Sequence, residues 1–278
     1  MDQKVLLVGG ELCRRVASGL DPTQWSIYGL RRHPPTASGI RWIPADLGIP
    51  ETLRKLPDEI THVLYAPAPD ARTLASYETV YPAGLGHLLD ALEGRASVQR
   101  LVLVNSTAVW PAVDAHDPNA WVGEDTPARP DSFRGDAMVR AETLLRNRLP
   151  ERSTTLRLGG IYGPGRTRLL DSLRAGTLVS PDGPGHWSNR IHIDDAASAC
   201  LHLLGLPQPE ACYIGTDGHP TDKGSFYDLL ADFLSVPRPS RQVMAPTGKR
   251  LSNARLTASG WSPRWPDAIE GYRALLRQ

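Results

Sequence analysis

The sequence predicts an α/β protein: a doubly wound parallel sheet covered by helices, followed by a smaller C-terminal lobe. Three observations predict it. Short β-rich apolar runs alternate with amphipathic stretches through roughly the first 160 residues. A glycine turn closes the first of those runs. Beyond Gly159 the chain becomes rich in Gly and Pro, as in Tyr162-Gly163-Pro164-Gly165 and Pro181-Asp182-Gly183-Pro184-Gly185, which reads as a change to loops. The expected organisation is residues 1–160 as one domain and residues 161–278 as a smaller lobe packed on it, over the sheet's carboxyl edge. At 278 residues, with 41% hydrophobic and 22% charged side chains, the chain has the composition of a globular protein with a sizeable core.

The strands are expected at Val5 to Val8, Trp25 to Leu30, Ile40 to Ile43, His62 to Ala66, Leu101 to Val104 and Thr155 to Leu158. A helix precedes the last of these. Asp131 or Ser132 can cap it, and Phe133, Ala137, Met138, Ala141, Leu144 and Leu145 recur on one face, with an end near Asn147 before Pro150. Later elements are a helix beginning near Asp194, a short strand at Cys212 to Ile214, a helix from Ser225 to about Leu234 and a final helix after Pro266. There is no internal repeat and no low-complexity tract.

Charge excludes one class of partner. With 31 basic and 30 acidic side chains the net charge is +1, so the composition offers no concentrated basic face for nucleic acid. The basic residues are overwhelmingly Arg, with Lys only at Lys4, Lys55, Lys223 and Lys249, so a single Arg carries little information. The three cysteines, Cys13, Cys200 and Cys212, form no CxxC or His/Cys pattern for zinc, and no metal site is expected. The apolar run at Val5 to Val8 is too short for a signal peptide or membrane span. A cytoplasmic setting is expected, with no membrane partner; oligomeric state is not legible.

The first strand ends in Val8-Gly9-Gly10-Glu11-Leu12-Cys13, where a dinucleotide-binding protein places GxGxxG between strand and helix. Only Gly10 fills its slot in ungapped register; one deletion recovers Gly9. Gly10 is the position that matters for phosphate, because a Cβ there would hold a pyrophosphate off the helix N-terminus. Cys13, at the last position, reads as a small buried hydrophobe. About twenty residues further on, an acid would hold a ribose 2'-hydroxyl. The chain instead has Gly29-Leu30-Arg31-Arg32, and paired guanidiniums point to NADP rather than NAD.

Longer motifs carry a resemblance. Leu101-Val102-Leu103-Val104-Asn105-Ser106-Thr107-Ala108-Val109-Trp110, Ala45-Asp46-Leu47, Tyr65-Ala66-Pro67-Ala68, Arg157-Leu158-Gly159-Gly160-Ile161-Tyr162-Gly163-Pro164-Gly165, Asn189-Arg190-Ile191-His192-Ile193-Asp194-Asp195 and Gly260-Trp261-Ser262-Pro263 occur in order along nearly the whole chain. Together they resemble the extended short-chain dehydrogenase/reductases, the NAD-dependent epimerases and dehydratases acting on nucleotide sugars. The resemblance implies a Rossmann-type sheet. It implies cofactor contacts from Gly9, Gly10, Glu11, Leu12, Asp46, Leu47, Tyr65, Ala66, Pro67, Asn105 and Gly160, joined by Arg31 and Arg32, and substrate contacts from Trp110, Arg166, Asn189 and Arg190.

The departure is in catalysis. The family uses Tyr-x-x-x-Lys on the helix after the Ser strand, because Tyr transfers a proton while Lys lowers its pKa. None of the eight tyrosines here is followed by Lys four residues later. Aligning Gly135 and Glu142 with the family's helix places Arg134 at the Tyr position and Met138 at the Lys position. Arg stays protonated and a thioether has no exchangeable proton.

Ser106 stands at the family's catalytic Ser/Thr position, where its hydroxyl, shared with Thr107, would orient a substrate oxygen; the competing reading is a strand-end hydroxyl that satisfies loop backbone. Arg134, Arg166 and Arg190 would meet an anionic substrate, or lie solvated. His192 beside Asp194 and Asp195 reads as helix capping by a carboxylate before an acid-base pair. Three functions remain open at this point. One is an NADP-preferring oxidoreductase or epimerase-like enzyme on a small hydroxyl or carbonyl substrate, with the proton coming from water or from an unidentified group. The others are a non-catalytic NADP(H)-binding sensor or scaffold, and a fold that binds no dinucleotide.

Overall fold

The computed structural model describes residues 3–35, 39–94, 98–111, 117 and 119–277. Strands β1 (Gln3–Gly9), β2 (Trp25–Arg31), β3 (Arg41–Pro44), β4 (His62–Ala66) and β5 (Arg100–Ser106) join the strands Ser153–Leu158 and Cys212–Gly215 in one seven-stranded sheet. From one edge its order is Cys212–Gly215, Ser153–Leu158, β5, β4, β1, β2, β3. β1 pairs in parallel with both β2 and β4, β2 with β3, and β4 with β5. Val5 to Val8 are buried on both faces, which explains why β1 reads as a continuous apolar run rather than an alternating one.

The sheet is the doubly wound one that the sequence predicts. Its order reverses direction at β1, because β2 and β3 extend to one side and β4 and β5 to the other. A crevice opens at such a reversal, at the carboxyl ends of the strands. Helix α1 (Glu11–Ser18) follows β1 directly and buries Leu12, Cys13 and Val16.

The chain forms two compact units that interleave along the sequence. The first comprises Met1–Trp110, Ala128–Arg157 and Ala197–Tyr213; the second comprises Pro111–Pro127, Leu158–Ala196 and Ile214–Gln278.

Within the first unit, the helix Phe133–Arg148 starts where expected, and Ser132 is the cap: its Oγ accepts the Gly135 N–H at 3.4 Å. A long helical stretch, Leu74 to Leu92, is absent from the sequence reading. It consists of a helix Leu74–Glu78, a π turn Thr79–Ala83 and a helix Gly84–Leu92. Pro82 lies inside the π turn; it lacks an N–H and interrupts regular helical bonding there, which also breaks the periodicity that would have exposed the helix in the sequence.

The second unit has its own core of Tyr162, Leu170, Leu173, Phe226, Leu230, Ala231, Ala268 and Tyr272. Tyr162 stacks on Tyr272 with ring centroids 4.4 Å apart, and only glycine at 271 leaves room for the Tyr162 ring. The helix Lys223–Leu234 begins two residues before the expected Ser225, because Asp222 caps it by accepting the Ser225 N–H at 2.9 Å. The final helix, Ala268–Leu276, is capped by Asp267. Among the described residues no helix is long and apolar enough to cross a membrane.

Candidate cofactor groove and strand-end site

The ends of β1, β2 and β4 enclose a groove of about 480 Å³ in the first unit. Register explains the convergence: Val8 pairs with Leu30 on one side and Tyr65 on the other, so the residues just beyond each strand face one space. The lining includes Gly9, Gly10, Arg31, Arg32, Asp46, Leu47 and Pro67, all seven anticipated, with Asp70 and Thr79 among those that were not. Thr79 and Val80 come from the π turn, so the irregular helix forms one wall.

The two glycines do different work. Gly9 has φ +144°, and a Cβ there would collide with the Ala66 carbonyl oxygen of the neighbouring strand. Gly10, at the N-cap of α1, would carry a Cβ that meets no atom within 4 Å. Gly9 therefore serves the turn, while Gly10 leaves open space in front of a helix N-terminus, where unpaired N–H groups favour an anion. Glu11 opens the helix and accepts from Arg15 at 3.4 Å; Leu12 is buried.

The two arginines also differ. Arg32 Nη2 donates to both carboxylate oxygens of Asp70, at 2.6 and 2.7 Å, and this pairing holds the Asp70 carboxyl below the usual range. Arg31 makes no ion pair among the described residues; its charge acts on Cys13, whose thiol is nevertheless pushed up to about 12 by burial. Asp46 accepts the Gly48 N–H at 2.8 Å.

Tyr65 does not border the groove. It is fully buried, and its hydroxyl donates to the Val80 carbonyl oxygen, so its role is to fix the π turn from beneath.

At the end of β5, Asn105 is buried and committed at both ends of its amide. Nδ2 donates to Glu142 Oε1 at 2.7 Å and to the Met138 carbonyl oxygen at 3.3 Å, while Oδ1 accepts the Ser106 N–H at 2.9 Å. Glu142 in turn accepts from Arg157 Nε at 3.0 Å and Nη2 at 2.6 Å. The Arg157 guanidinium lies over the buried Trp110 ring, 4.5 Å from its centroid. This chain of contacts explains why Asn105 and Trp110, read as ligand contacts, are enclosed.

Ser106 is half-buried and its Oγ accepts the Ala108 N–H at 3.2 Å, capping the short turn Thr107–Val109. That leaves its O–H proton to donate elsewhere. Thr107 and Arg134 are half-buried, and Met138 is buried. Gly135 sits so close to the Ala108 carbonyl that no side chain fits, which brings the start of the helix against the Ser106 turn.

A Methylobacillus flagellatus protein assigned as an NAD-dependent epimerase/dehydratase is 33% identical to this chain, covers 99% of it and 98% of its own length, and superposes with a TM-score of 0.80. The chain belongs to the NAD-dependent epimerase/dehydratase family. Protein YeeZ of Escherichia coli K12 is 28% identical over 284 residues, spanning 96% of this chain and 98% of its own. A short-chain dehydrogenase/reductase superfamily protein of Agrobacterium tumefaciens, solved with bound NAD, is 19% identical with a TM-score of 0.80 over 99% of this chain and 97% of its own, and shares the fold. No family model matches the chain.

The remaining candidates of this epimerase/dehydratase family member lie in the second unit. Asn189 donates from Nδ2 to the Lys249 carbonyl at 2.7 Å and accepts the Leu251 N–H at 2.9 Å, so its amide is spent on tying down that segment. Arg190 Nε donates to Ser188 Oγ at 2.9 Å and its guanidinium lies 5.5 Å from the Phe226 ring centroid. Gly160 is an exposed residue of a short strand paired in parallel with Arg190–His192. Arg166 lines an open pocket with Gly165, Thr167, Arg168 and Ser172.

The expected carboxylate cap near Asp194 is corrected. The helix runs Ile193–Gly205, so both acids lie inside its first turn, and the Asp194 N–H is instead accepted by His192 Nδ1 at 3.2 Å. The buried Asp195 accepts the Arg264 and Trp265 N–H groups at 2.8 and 3.0 Å, holding the approach to the last helix.

Sequence reasoning missed Asp70, Glu142 and Arg157 as partners. A carboxylate near a strand-end Arg, or an acid on the helix paired with an Arg in the next strand, leaves no spacing signal that survives in so Arg-rich a chain.

Proposed function

We propose that this chain is an oxidoreductase or epimerase/dehydratase-like protein that holds a nicotinamide dinucleotide in the groove at Gly9–Gly10, prefers NADP to NAD, and acts on a small hydroxyl or carbonyl compound. Residues 1–160 carry the cofactor in this reading and residues 161–278 the substrate. The observation that carries it is Gly10: at the N-terminus of α1, lining the groove, it leaves open the volume that a Cβ would fill. The residues present fit a dinucleotide. Backbone N–H groups at the start of α1 suit a pyrophosphate, and Arg31, with no ion pair among the described residues, suits a 2'-phosphate. The assignment of the Methylobacillus flagellatus protein as NAD-dependent supports the cofactor class. Three unbridged cysteines, two of them buried, fit a reducing, cytoplasmic setting.

When bound, the nicotinamide supplies hydride chemistry. Ser106, its Oγ lone pair engaged by Ala108 N–H and its proton available to donate, orients a substrate oxygen, and Thr107 shares that task. Arg134 contributes positive charge at the first turn of the Phe133–Arg148 helix. Arg166 and Arg190 meet an anionic part of the substrate.

A second reading, a dinucleotide-binding sensor without turnover, is favoured by one observation. Met138, at the position where the family pattern carries Lys, is a core side chain at 5% exposure, so nothing there holds a ribose or tunes a proton donor.

Calorimetric titration with NADPH, NADP, NADH and NAD tests both. Wild type is expected to bind in the micromolar range with a preference for the 2'-phosphate, Arg31→Ala with Arg32→Ala to lose that preference, and Gly10→Ala to lose binding while still folding. Binding of none of the four nucleotides overturns the proposal. Given binding, turnover that Ser106→Ala abolishes selects the enzyme; binding without turnover across a substrate screen selects the sensor.

A further inference from the structure

We infer that Asp70 is a specificity-determining residue of the groove, one that engages Arg32 and so weakens the preference for a 2'-phosphorylated dinucleotide that the Arg31-Arg32 pair would otherwise impose. This rests on the reading of the groove as a dinucleotide site.

Arg31 and Arg32 are neighbours at the end of β2 and both line the groove, yet they stand in different electrostatic states. Arg32 Nη2 is shared between the two oxygens of Asp70 at 2.6 and 2.7 Å, and the charge of Asp46 faces the same guanidinium. Arg31 is left without an ion pair among the described residues, its charge felt at Cys13 beneath the glycine turn.

The wall formed by Arg31, Arg32, Asp46 and Asp70 therefore balances two cations against two carboxylates. A phosphate entering such a wall gains from Arg31, but must compete with Asp70 for Arg32 and approaches its carboxylate charge. A hydroxyl meets no such penalty and can donate to a carboxylate. The pair is half-exposed, with side-chain exposures of 50% for Arg32 and 64% for Asp70, so a ligand can displace it and the modulation is modest.

Removing the Asp70 charge leaves the wall net positive and returns Nη2 to the groove.

The test uses adenosine 2',5'-bisphosphate and 5'-AMP, which differ only in the 2'-phosphate, titrated calorimetrically into wild type, Asp70→Asn, Asp70→Ala, Arg32→Ala and Arg32→Ala combined with Asp70→Asn. Both single variants are expected to raise the affinity ratio of bisphosphate to monophosphate about two- to fivefold, with the gain shrinking at high salt. In the Arg32→Ala background the gain should disappear, because Asp70 acts through Arg32. An unchanged ratio in both single variants, an equal gain for both nucleotides, or a gain that persists without Arg32 overturns the inference. Failure of wild type and every variant to bind either nucleotide overturns the dinucleotide reading itself, a different result.

Discussion

Glu142→Ala should be among the most damaging single substitutions in the first unit, and the structure gives the size of the effect. Glu142 and Arg157 are 5% and 6% exposed. The carboxylate takes two charge-assisted hydrogen bonds from Arg157, at 3.0 and 2.6 Å, and a third from Asn105 at 2.7 Å. Deleting it leaves a guanidinium buried without its anion, at about 3–5 kcal/mol, and deprives the Asn105 amide of its shortest acceptor, so a total near 5 kcal/mol is expected. Arg157→Met removes the cation instead, at about 3–5 kcal/mol for the stranded carboxylate, and loses the contact over Trp110, about 1 kcal/mol more.

The decisive variant is the double one. Glu142→Leu with Arg157→Met removes both charges and refills the volume with apolar atoms, so it should fall within about 2 kcal/mol of wild type. The two single costs should then exceed the double cost by several kcal/mol, a coupling energy expected only of groups in direct contact. Urea unfolding midpoints at constant m value measure all four proteins. Single costs that simply add in the double variant would refute the reasoning, since the pair would then not be one electrostatic unit.

Two further outcomes follow from titrations in the fold. Burial lifts the Asp217 carboxyl to about 7, above the unfolded value near 3.9; the folded state thus holds that proton more tightly, and stability should be full below about pH 4 and fall as pH rises towards about 7. Urea midpoints across that range should show the decline, and Asp217→Asn should remove its larger part while lowering absolute stability, because an amide oxygen can replace only one of the two acceptors that His219 N–H and Ala268 N–H now use; an unchanged slope would assign the titration to another group. Cys13, its thiol pushed up to about 12 in the core, should resist iodoacetamide at mildly alkaline pH in the native protein, while the half-buried Cys212 is alkylated first; mass spectrometry of the modified peptides reads the order.

What the sequence discloses here is local, and what it hides depends on strand order. Strands buried on both faces announce themselves as apolar runs, so β1, β4 and β5 are legible to within about two residues, while the half-buried β2 is legible from its β-rich composition. The Phe133–Arg148 helix is legible because Ser132 and the apolar spacing act within one segment. The stretch from Leu74 to Leu92 escapes notice because the π turn shifts its period midway. Asp70 lies 38 residues beyond Arg32, and only the placement of β4 beside β1, next to β2, brings them together. The same abundance of Arg that marks the composition conceals which guanidinium is engaged, at Arg32 and Asp70 as at Arg157 and Glu142.

The strand-end site gives this a functional edge. In the proposed reading, with the register anchored on Gly135 and Glu142, Arg134 and Met138 stand where the resemblance places Tyr and Lys. Met138 is not a vacant position awaiting Lys. Its side chain is in the core and its carbonyl accepts from Asn105, the residue whose Oδ1 holds the Ser106 N–H. An ammonium at that depth would need a partner, and Glu142, the nearby acid on this helix, is already engaged by Arg157 and Asn105. The helix thus fixes the end of β5 through the Met138 carbonyl and the Glu142 carboxylate, and in the proposed reading the anion is taken by the groove at Gly10.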